Sequence, residues 1–311
     1  MRIARAAREL GASPVGVVST ADQSASWVET LDEVVCVGGG SPAESYLRMD
    51  AVVQAALQTG CSAVHPGWGF LAEQPRFAAL CEQHGLTFIG PRAAVMERMG
   101  LKWPAKQAAR AAGLQVIPGS EGLLADAEEA SEVAARVGYP VILKADAGGG
   151  GRGMRLCPDE TTLREAFSQA SAEAAAAFGD GALYLESYLT GGRHVEVQLL
   201  VDVFGAAVHL GTRECSIQRK HQKLIEESPS PVLGSDEAQS LGQLAVDAAR
   251  SFGYTGAGTI EFLRRAEDGA LLFLEMNTRL QVEHPVSEMV TGVDVVQAQL
   301  RIAANQHLGL T

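Results

Sequence analysis

Hydrophobic and polar positions change rhythm twice along the chain. Up to Gly90-Pro91, short apolar runs alternate with amphipathic stretches. Val15–Val18, Val34–Val37, Ala63–Val64 and Thr87–Ile89 read as strands, and Ala51–Gln58 and Phe77–His84 as helices between them. This βα alternation is the rhythm of a parallel, doubly wound sheet. The chain opens on MRIARAAREL, with Arg2, Arg5 and Arg8 on one helical stripe, Ile3, Ala6, Ala7 and Leu10 on another, and Gly11 to end the turn. Such a start is either the first structural helix or an Arg-rich organellar leader, and we take it as structural. A doubly wound domain ordinarily begins with a strand, so the pattern predicts a chain shortened at its N-terminus.

Beyond Pro91 the pattern turns helical at Ala93–Met99, at Ala105–Ala112 (starting from Pro104) and at Ala125–Ala135. Strands at Pro140–Ala145 and Met154–Cys157 then flank a glycine run, and Thr161–Ala177 is a further helix. From Leu183 the chain is mainly β: Leu183–Glu186, His194–Val201, Ala206–Gly211, Gly258–Leu263 and Leu271–Asn277. One helix, Asp236–Phe252, interrupts them, with Ser235 as its expected N-cap.

Composition narrows the class. The 311 residues suffice for roughly two domains, and 47% apolar with 20% charged residues excludes a disordered chain. Glycine is in excess, 34 residues against a usual ~7%, which suits ligand loops. A formal charge of −12 excludes a non-specific nucleic-acid binder but not a local basic pocket for a small anion. Cys36, Cys61, Cys81, Cys157 and Cys215 are odd in number and form no C-x-x-C pair, so reduced core thiols are expected. No apolar run is long enough to span a bilayer. A cytoplasmic protein with no membrane or nucleic-acid partner is expected.

Two clusters carry chemistry. The first is Gly148-Gly149-Gly150-Gly151-Arg152-Gly153-Met154, which matches G-x-G-x-x-G but is followed by a β-like segment, not a helix. Strand, glycine loop and strand form either a flap whose backbone N–H groups cover phosphates or a plain hairpin turn; four successive glycines favour the flap. Lys144 stands just before it to supply positive charge. The second cluster is Glu261 in GTIEF with Glu275 and Asn277 in FLEMN, joined through an Asp268-Gly269 turn. Strand alternation puts Glu275 and Asn277 on one face, with Leu274 and Met276 directed into the core. If the strands pair, Glu261 joins that face, and three hard oxygen ligands beside a phosphate loop describe a Mg²⁺–nucleotide site. The polar alternation continues through Arg279, Gln281 and Glu283 against Leu280 and Val282. In His194-Val195-Glu196-Val197-Gln198 the polar residues share a face opposite the valines, and Gln218–Lys223 gathers positive charge in an acidic chain. Taken alone, the first could be structural and the second a solvated loop.

These residues carry a family resemblance. HPGWGFLAE (His65–Glu73), FIGP (Phe88–Pro91), KADAGGGGRGM (Lys144–Met154), RHVEVQ (Arg193–Gln198), RECSIQRKHQK (Arg213–Lys223), GAGTIEF (Gly256–Phe262) and EMNTRLQVEHPVSEM (Glu275–Met289) follow one another across the chain. With them the chain resembles the biotin carboxylase component of biotin-dependent carboxylases, a branch of the ATP-grasp superfamily. The resemblance implies a mixed α/β fold: a Rossmann-like pre-ATP-grasp domain followed by an ATP-grasp domain with a glycine-rich lid. The implied division is 1–91 for the N-terminal domain, 92–115 for connecting helices, 116–186 for the lid and 187–311 for the ATP-grasp C-terminal subdomain. The family's first strand and final C-terminal domain, with its biotin-contacting arginine, are expected to lie outside this sequence.

The resemblance also implies roles. Lys102, Lys144 and the loop glycines Gly149, Gly150 and Gly151 would contact ATP phosphates. The hinge Glu186-Ser187-Tyr188-Leu189 would receive adenine largely through backbone groups, with His194, Gln218 and His221 lining the pocket. Glu261, Glu275 and Asn277 would hold two Mg²⁺ or Mn²⁺ ions, and Lys223, Arg279, Gln281, Val282 and Glu283 would surround bicarbonate. Glu283 would act as general base, Arg279 as electrostatic stabiliser and Lys223 beside them. The implied activity is that of a ligase: ATP- and bicarbonate-dependent carboxylation of biotin on a carboxyl carrier protein, serving a carboxyltransferase subunit, from a homodimer. Acetyl-CoA carboxylase, in fatty acid synthesis, is one such system. Leu101, Ser187, Trp68 and Ala147 depart from common family residues at positions where backbone or bulk carries the role. Two alternatives stand beside this reading: another ATP-grasp ligase with a different acceptor, and a nucleotide-binding module without catalysis.

Overall fold

The protein's computed structural model describes residues 1–147, 153–220 and 222–310. The chain begins with α1 (Arg2–Glu9), which buries Ala4, Ala6 and Ala7. Of its arginine stripe, Arg2 pairs with Glu288 at 3.0 Å and Asp294 at 2.6 Å near the other end of the chain, and Arg8 with Asp32 at 2.6 Å. Next come β1 (Val15–Ser19), β2 (Glu33–Gly38), α2 (Met49–Gln58), β3 (Ala63–Val64), α3 (Pro75–Gln83) and β4 (Thr87–Phe88). The strands pair in parallel, as their alternation with helices requires, but as two separate pairs, β1 with β2 and β3 with β4. Among the described residues no strand joins the pairs into the continuous sheet that the pattern predicts. A helix-to-sheet core of Val53, Phe77, Cys81, Leu86, Phe88 and Met96 fills this region.

The helices α4 (Ala93–Gly100) and α5 (Lys102–Ala111) follow, α5 starting two residues before Pro104 and keeping that proline in its first turn, where its missing N–H costs nothing. A three-stranded unit comes next: α6 (Ala127–Val137), β5 (Val141–Ala145), β6 (Met154–Cys157), α7 (Glu160–Phe178) and β7 (Leu183–Ser187), in sheet order β6-β5-β7. Asp126 and Asp159 cap the two helices by accepting from Glu129 N and Thr162 N. Gly148–Gly151 lie outside the described residues; β5 and β6 on either side pair antiparallel, with Lys144 opposite Met154.

The remaining strands build one five-stranded sheet. In chain order they are β8 (Arg193–Val201), β9 (Ala207–Arg219), β10 (Gln222–Glu227), then α8 (Ser235–Ser251), β11 (Gly256–Arg264) and β12 (Leu271–Asn277). In space the order is β10-β9-β8-β11-β12. Alternate residues of β8 serve two cores. Val195, Val197 and Leu199 pack with α8 and α5, while Leu200 joins α1 and the C-terminal helix on the other face. The chain then adds α9 (His284–Thr291) and α10 (Val295–Ala303).

Several expectations change. The basic run is not a solvated loop: β9 extends to Arg219 and turns into β10, because Ile217 and Ile225 and the residues around them continue the antiparallel ladder. Polar alternation beyond Asn277 is not a strand. β12 ends there, Leu280 and Gln281 are buried and Val282 is 57% exposed. Leu274 does not enter the core; it is the extra residue of a bulge where the β11–β12 register slips between Glu261 and Phe262. Ser235 is the first residue of α8, and Gly234 holds the cap position. All five cysteines are free thiols, but Cys36 is exposed. No helix of the described residues is long and apolar enough to cross a membrane.

His65 ties the two halves together. Its Nδ1 accepts from Gly67 N at 3.0 Å, so its Nε2 carries the proton and donates to Gln299 Oε1 on α10 at 3.2 Å. Burial pushes the imidazole down to about 4 from an ordinary 6.5. A depressed pKa means the unfolded chain binds the proton first. The stability from neutral His65 is full above pH 6.5 and is lost as pH falls toward about 4. Its upper bound is about 3 kcal/mol. Urea unfolding at pH 7 and at pH 4.5 should show a smaller acid loss for His65→Gln than for the parent; equal losses would refute the assignment.

Candidate active site

The register of the five-stranded sheet assembles the site. On β8, His194, Glu196 and Gln198 face away from Val195 and Val197. Glu196 stands opposite Arg213 of β9 on one side and Glu261 of β11 on the other. On β11 and β12, Glu261 faces Glu275 and Thr259 faces Asn277. A row of carboxylates on neighbouring strands is unfavourable unless cations separate them. The β9–β10 hairpin supplies one by folding Lys223 back opposite Gln218.

Lys223 contacts three carboxylates at once: Glu196, Glu261 at 2.9 Å and Glu283 at 2.6 Å. Burial opposes the ammonium charge, but Glu261, Glu196 and Glu283 outweigh it and raise the Lys223 pKa above its ordinary range. Arg213 is the second cation and is fully buried. It donates to Glu196 at 3.0 Å, Gln198 at 2.8 Å, Thr259 and Ser287 at 3.1 Å, and also to Gln281. His194 lies beside them: its Nε2 is 3.0 Å from Glu196 and 3.1 Å from Glu261, off the line of an N–H bond, while its Nδ1 meets Gln218. Burial alone would lower its pKa; the two carboxylates reverse that and raise it to about 9. Glu196 is correspondingly held well below the carboxylate range, against its burial, by His194, Arg213 and Lys223.

The loop after β12 closes this network. Gln281 donates to Glu261 at 3.0 Å, and Asn277 donates to the same oxygen at 2.7 Å. Arg279 donates to Asn277 Oδ1 and to Glu73 Oε2, each at 2.8 Å. Glu73, at the end of HPGWGFLAE, also accepts from Thr278 N at 2.9 Å. The N-terminal region thus fixes the guanidinium over the sheet face.

The other end of the site lies on α5 and the three-stranded unit. Asp146, just past β5, accepts from Trp103 N at 2.7 Å and holds the start of α5. Lys102 pairs with Glu275 at 3.0 Å. One turn along α5, Lys106 pairs with Glu186 Oε1 at 2.6 Å, and Lys144 takes Glu186 Oε2 at 2.5 Å. Gly119 allows its segment to bridge to β7 at Glu186, since a Cβ there would stand 2.0 Å from Leu185 O. The Ser187 and Tyr188 amides donate to Pro118 and Pro140 carbonyls at 2.8 and 2.9 Å, which fixes the hinge. Tyr188 is 39% exposed and Leu189 partly buried.

Glu261, Glu275 and Asn277 are brought together as hard oxygen donors, the set that suits Mg²⁺ or Mn²⁺. Their oxygens are occupied by protein cations, Lys223 on Glu261, Lys102 on Glu275 and Arg279 on Asn277 Oδ1, which a metal would have to displace. The tightest group of ligating atoms among the described residues is instead His194, Glu196 and Glu261, all within 4.8 Å. His194 Nε2 faces both carboxylates there. Lys223 joins Glu283, Gln281 shares Glu261 with Lys223, and Arg279 is linked to the same carboxylate through Asn277, with Val282 exposed between Gln281 and Glu283. Gly149, Gly150, Gly151 and His221 lie outside the described residues. Sequence reasoning missed Lys106 and gave no role to Glu73, Glu196 or Arg213. Glu196 and Arg213 were within reach, since each sits in a quoted motif with the strand alternation that fixes its face.

Residues 1–96 match the family described as biotin carboxylase, N-terminal domain, and residues 102–311 the carbamoyl-phosphate synthase L chain, ATP binding domain. A biotin carboxylase of Nostoc sp. is 49% identical over 311 residues, all of this chain and 69% of that protein. One from Pseudomonas aeruginosa is 51% identical over the same share. A crystal structure of a Campylobacter jejuni biotin carboxylase complexed with a β,γ-ATP ligand superposes with a TM-score of 0.97 at 46% identity, over 99% of this chain and 69% of that one. The biotin carboxylase domain dimer of Hydrogenobacter thermophilus 2-oxoglutarate carboxylase, with MgADP, ADP and bicarbonate, gives 0.96 at 48% identity, over 100% and 68%.

The buried cation has a measurable cost of removal. Arg213→Met should destabilise the protein by about 3–5 kcal/mol, because it leaves Glu196 and Gln281 short of their partner. Arg213→Met combined with Glu196→Gln should recover part of the loss in urea unfolding. No recovery in the double variant would mean that Arg213 acts through packing alone.

Proposed function

The chain belongs to the biotin carboxylase family, and on that footing we propose that it catalyses ATP- and bicarbonate-dependent carboxylation of biotin through carboxyphosphate. The observation that carries this reading is Lys223 joined to Glu283 and Glu261, with Gln281 on the same Glu261 and Arg279 linked to it through Asn277, where a small anion and a base are both needed. Bicarbonate would sit against Lys223, Arg279, Gln281 and Val282, with cationic and amide groups on its oxygens. Glu283 takes its proton. The freed oxygen attacks the γ-phosphorus, a new P–O bond forms, the bond to ADP breaks, and carboxyphosphate results.

Lys102 and Lys144, with the glycine loop, would neutralise the phosphates, and the 186–189 hinge, His194, Gln218 and His221 would enclose the base and ribose. Mg²⁺ or Mn²⁺ held by Glu261, Glu275 and Asn277 would withdraw charge from the transferring phosphoryl group. Lys223 also keeps Glu283 pointed at the anion and separated from Glu261. Carboxyphosphate then gives CO₂ and phosphate, and the phosphate removes the proton of the biotin ureido nitrogen. That nitrogen attacks CO₂ while Arg279, held by Glu73 and Asn277, stabilises the enolate oxygen. The biotin would arrive on a carboxyl carrier protein or domain and leave for a carboxyltransferase subunit, with the enzyme acting as a homodimer.

Glu283→Gln tests the assignment. Bicarbonate-stimulated ATP cleavage should fall by roughly 10²–10⁴-fold, the usual contribution of a general base, while calorimetric ATP affinity stays within error. A loss below about tenfold would give Glu283 a structural role instead.

A further inference from the structure

Lys106 is a buried cation to which the reaction assigns no part. Its side chain is 5% exposed, that of Glu186 7% and that of Lys144 14%. Both Glu186 oxygens are taken, one by each lysine, and both ammonium groups stand 5.9 Å from the centroid of the Tyr184 ring. The group therefore holds two ammonium charges against one carboxylate. One lysine more is present than Glu186 needs.

The two lysines differ in what anchors them. Lys106 lies on the second turn of α5, facing the same way as Lys102, and α5 is locked to the sheet core through Ala105 and Ala109. Its Nζ donates to Glu186, and desolvation pulls its pKa down despite that carboxylate. Lys144 lies on β5, a few residues before the glycine loop, and is the more exposed of the two. Lys144 is thus the one placed to leave.

We propose that Lys106 is the standing counter-ion of Glu186, and that it frees Lys144 to move from Glu186 to the phosphates of a bound nucleotide. The proposal rests on the reading of Lys144 as a phosphate contact. Without Lys106, each departure of Lys144 would strand a buried carboxylate, and a buried charge that loses its partner is strongly disfavoured. With Lys106 in place Glu186 keeps one charge-assisted hydrogen bond throughout. Lys106 is accordingly a positioning residue for phosphate binding.

The test compares Mg·ATP, ADP and adenosine binding by calorimetry. Lys106→Met should weaken ATP and ADP by about tenfold to a hundredfold, the range for one hydrogen bond to a charged group. Adenosine, which does not call on Lys144, should bind within about twofold of the parent, well inside that range. Lys106→Arg should recover most of the ATP affinity. In the Lys106→Met, Glu186→Gln double variant no carboxylate retains Lys144, so the ratio of ATP to adenosine affinity should return toward the parent's; this variant also covers the case in which Lys106→Met alone folds poorly. Equal losses for adenosine and ATP in Lys106→Met, or an unrecovered ratio in the double variant, would overturn the proposal. Lys144→Met separates the two readings. If it weakens ATP no more than adenosine, the phosphate role of Lys144 falls and the proposal with it. If it weakens ATP selectively while Lys106→Met does not, only the proposal falls.

Discussion

A single ammonium group shared by three carboxylates is the constraint on which the site depends. Glu196, Glu261 and Glu283 come from two central strands and the loop after β12, and Lys223 touches all three. Glu196 and Glu261 are direct cross-strand neighbours in a buried row, an arrangement that repels unless a cation intervenes. The β9–β10 hairpin places that cation, Arg213 adds a second on Glu196, and Arg213 reaches on to Gln281 and Ser287. The sheet register and the loop from Thr278 to Glu283 are thereby held by the same charges that would meet bicarbonate.

The nucleotide end follows the same logic with a different surplus. Lys102 sits on Glu275, and Lys106 and Lys144 share Glu186. Protein cations rest on the carboxylates, and a phosphate or a metal would have to compete for them. α5 is the element that links the ends, because its N-terminus is held by Asp146 and its body packs on the five-stranded sheet. Glu73 does the corresponding work for Arg279 from the N-terminal region.

Much of this was legible in the sequence, because strand alternation fixes faces. His194, Glu196 and Gln198 opposite two valines, and Glu261 with Glu275 and Asn277, lie where a period of two puts them. What was hidden depended on contacts between elements distant in the chain. Nothing in α5 distinguishes Lys106 from an ordinary surface lysine until β7 brings Glu186 against it. The polar series past Asn277 imitates a strand, yet its spacing is set by a loop pinned at Glu73, Glu261 and Arg213. Leu274 could not be placed by alternation, since a bulge shifts the register beside it. α9 and α10 went unread in the sequence.

Bicarbonate, activated beside Lys223 and Glu283, would attack the γ-phosphate of ATP. The most direct measurement of this step is the fate of oxygen. With ¹⁸O-bicarbonate and unlabelled ATP in unlabelled water, analysed before bicarbonate exchanges with solvent, the released phosphate should carry one ¹⁸O atom taken from bicarbonate. Phosphate free of label while ATP is cleaved would show that water, not bicarbonate, attacks the phosphorus, and would contradict the account.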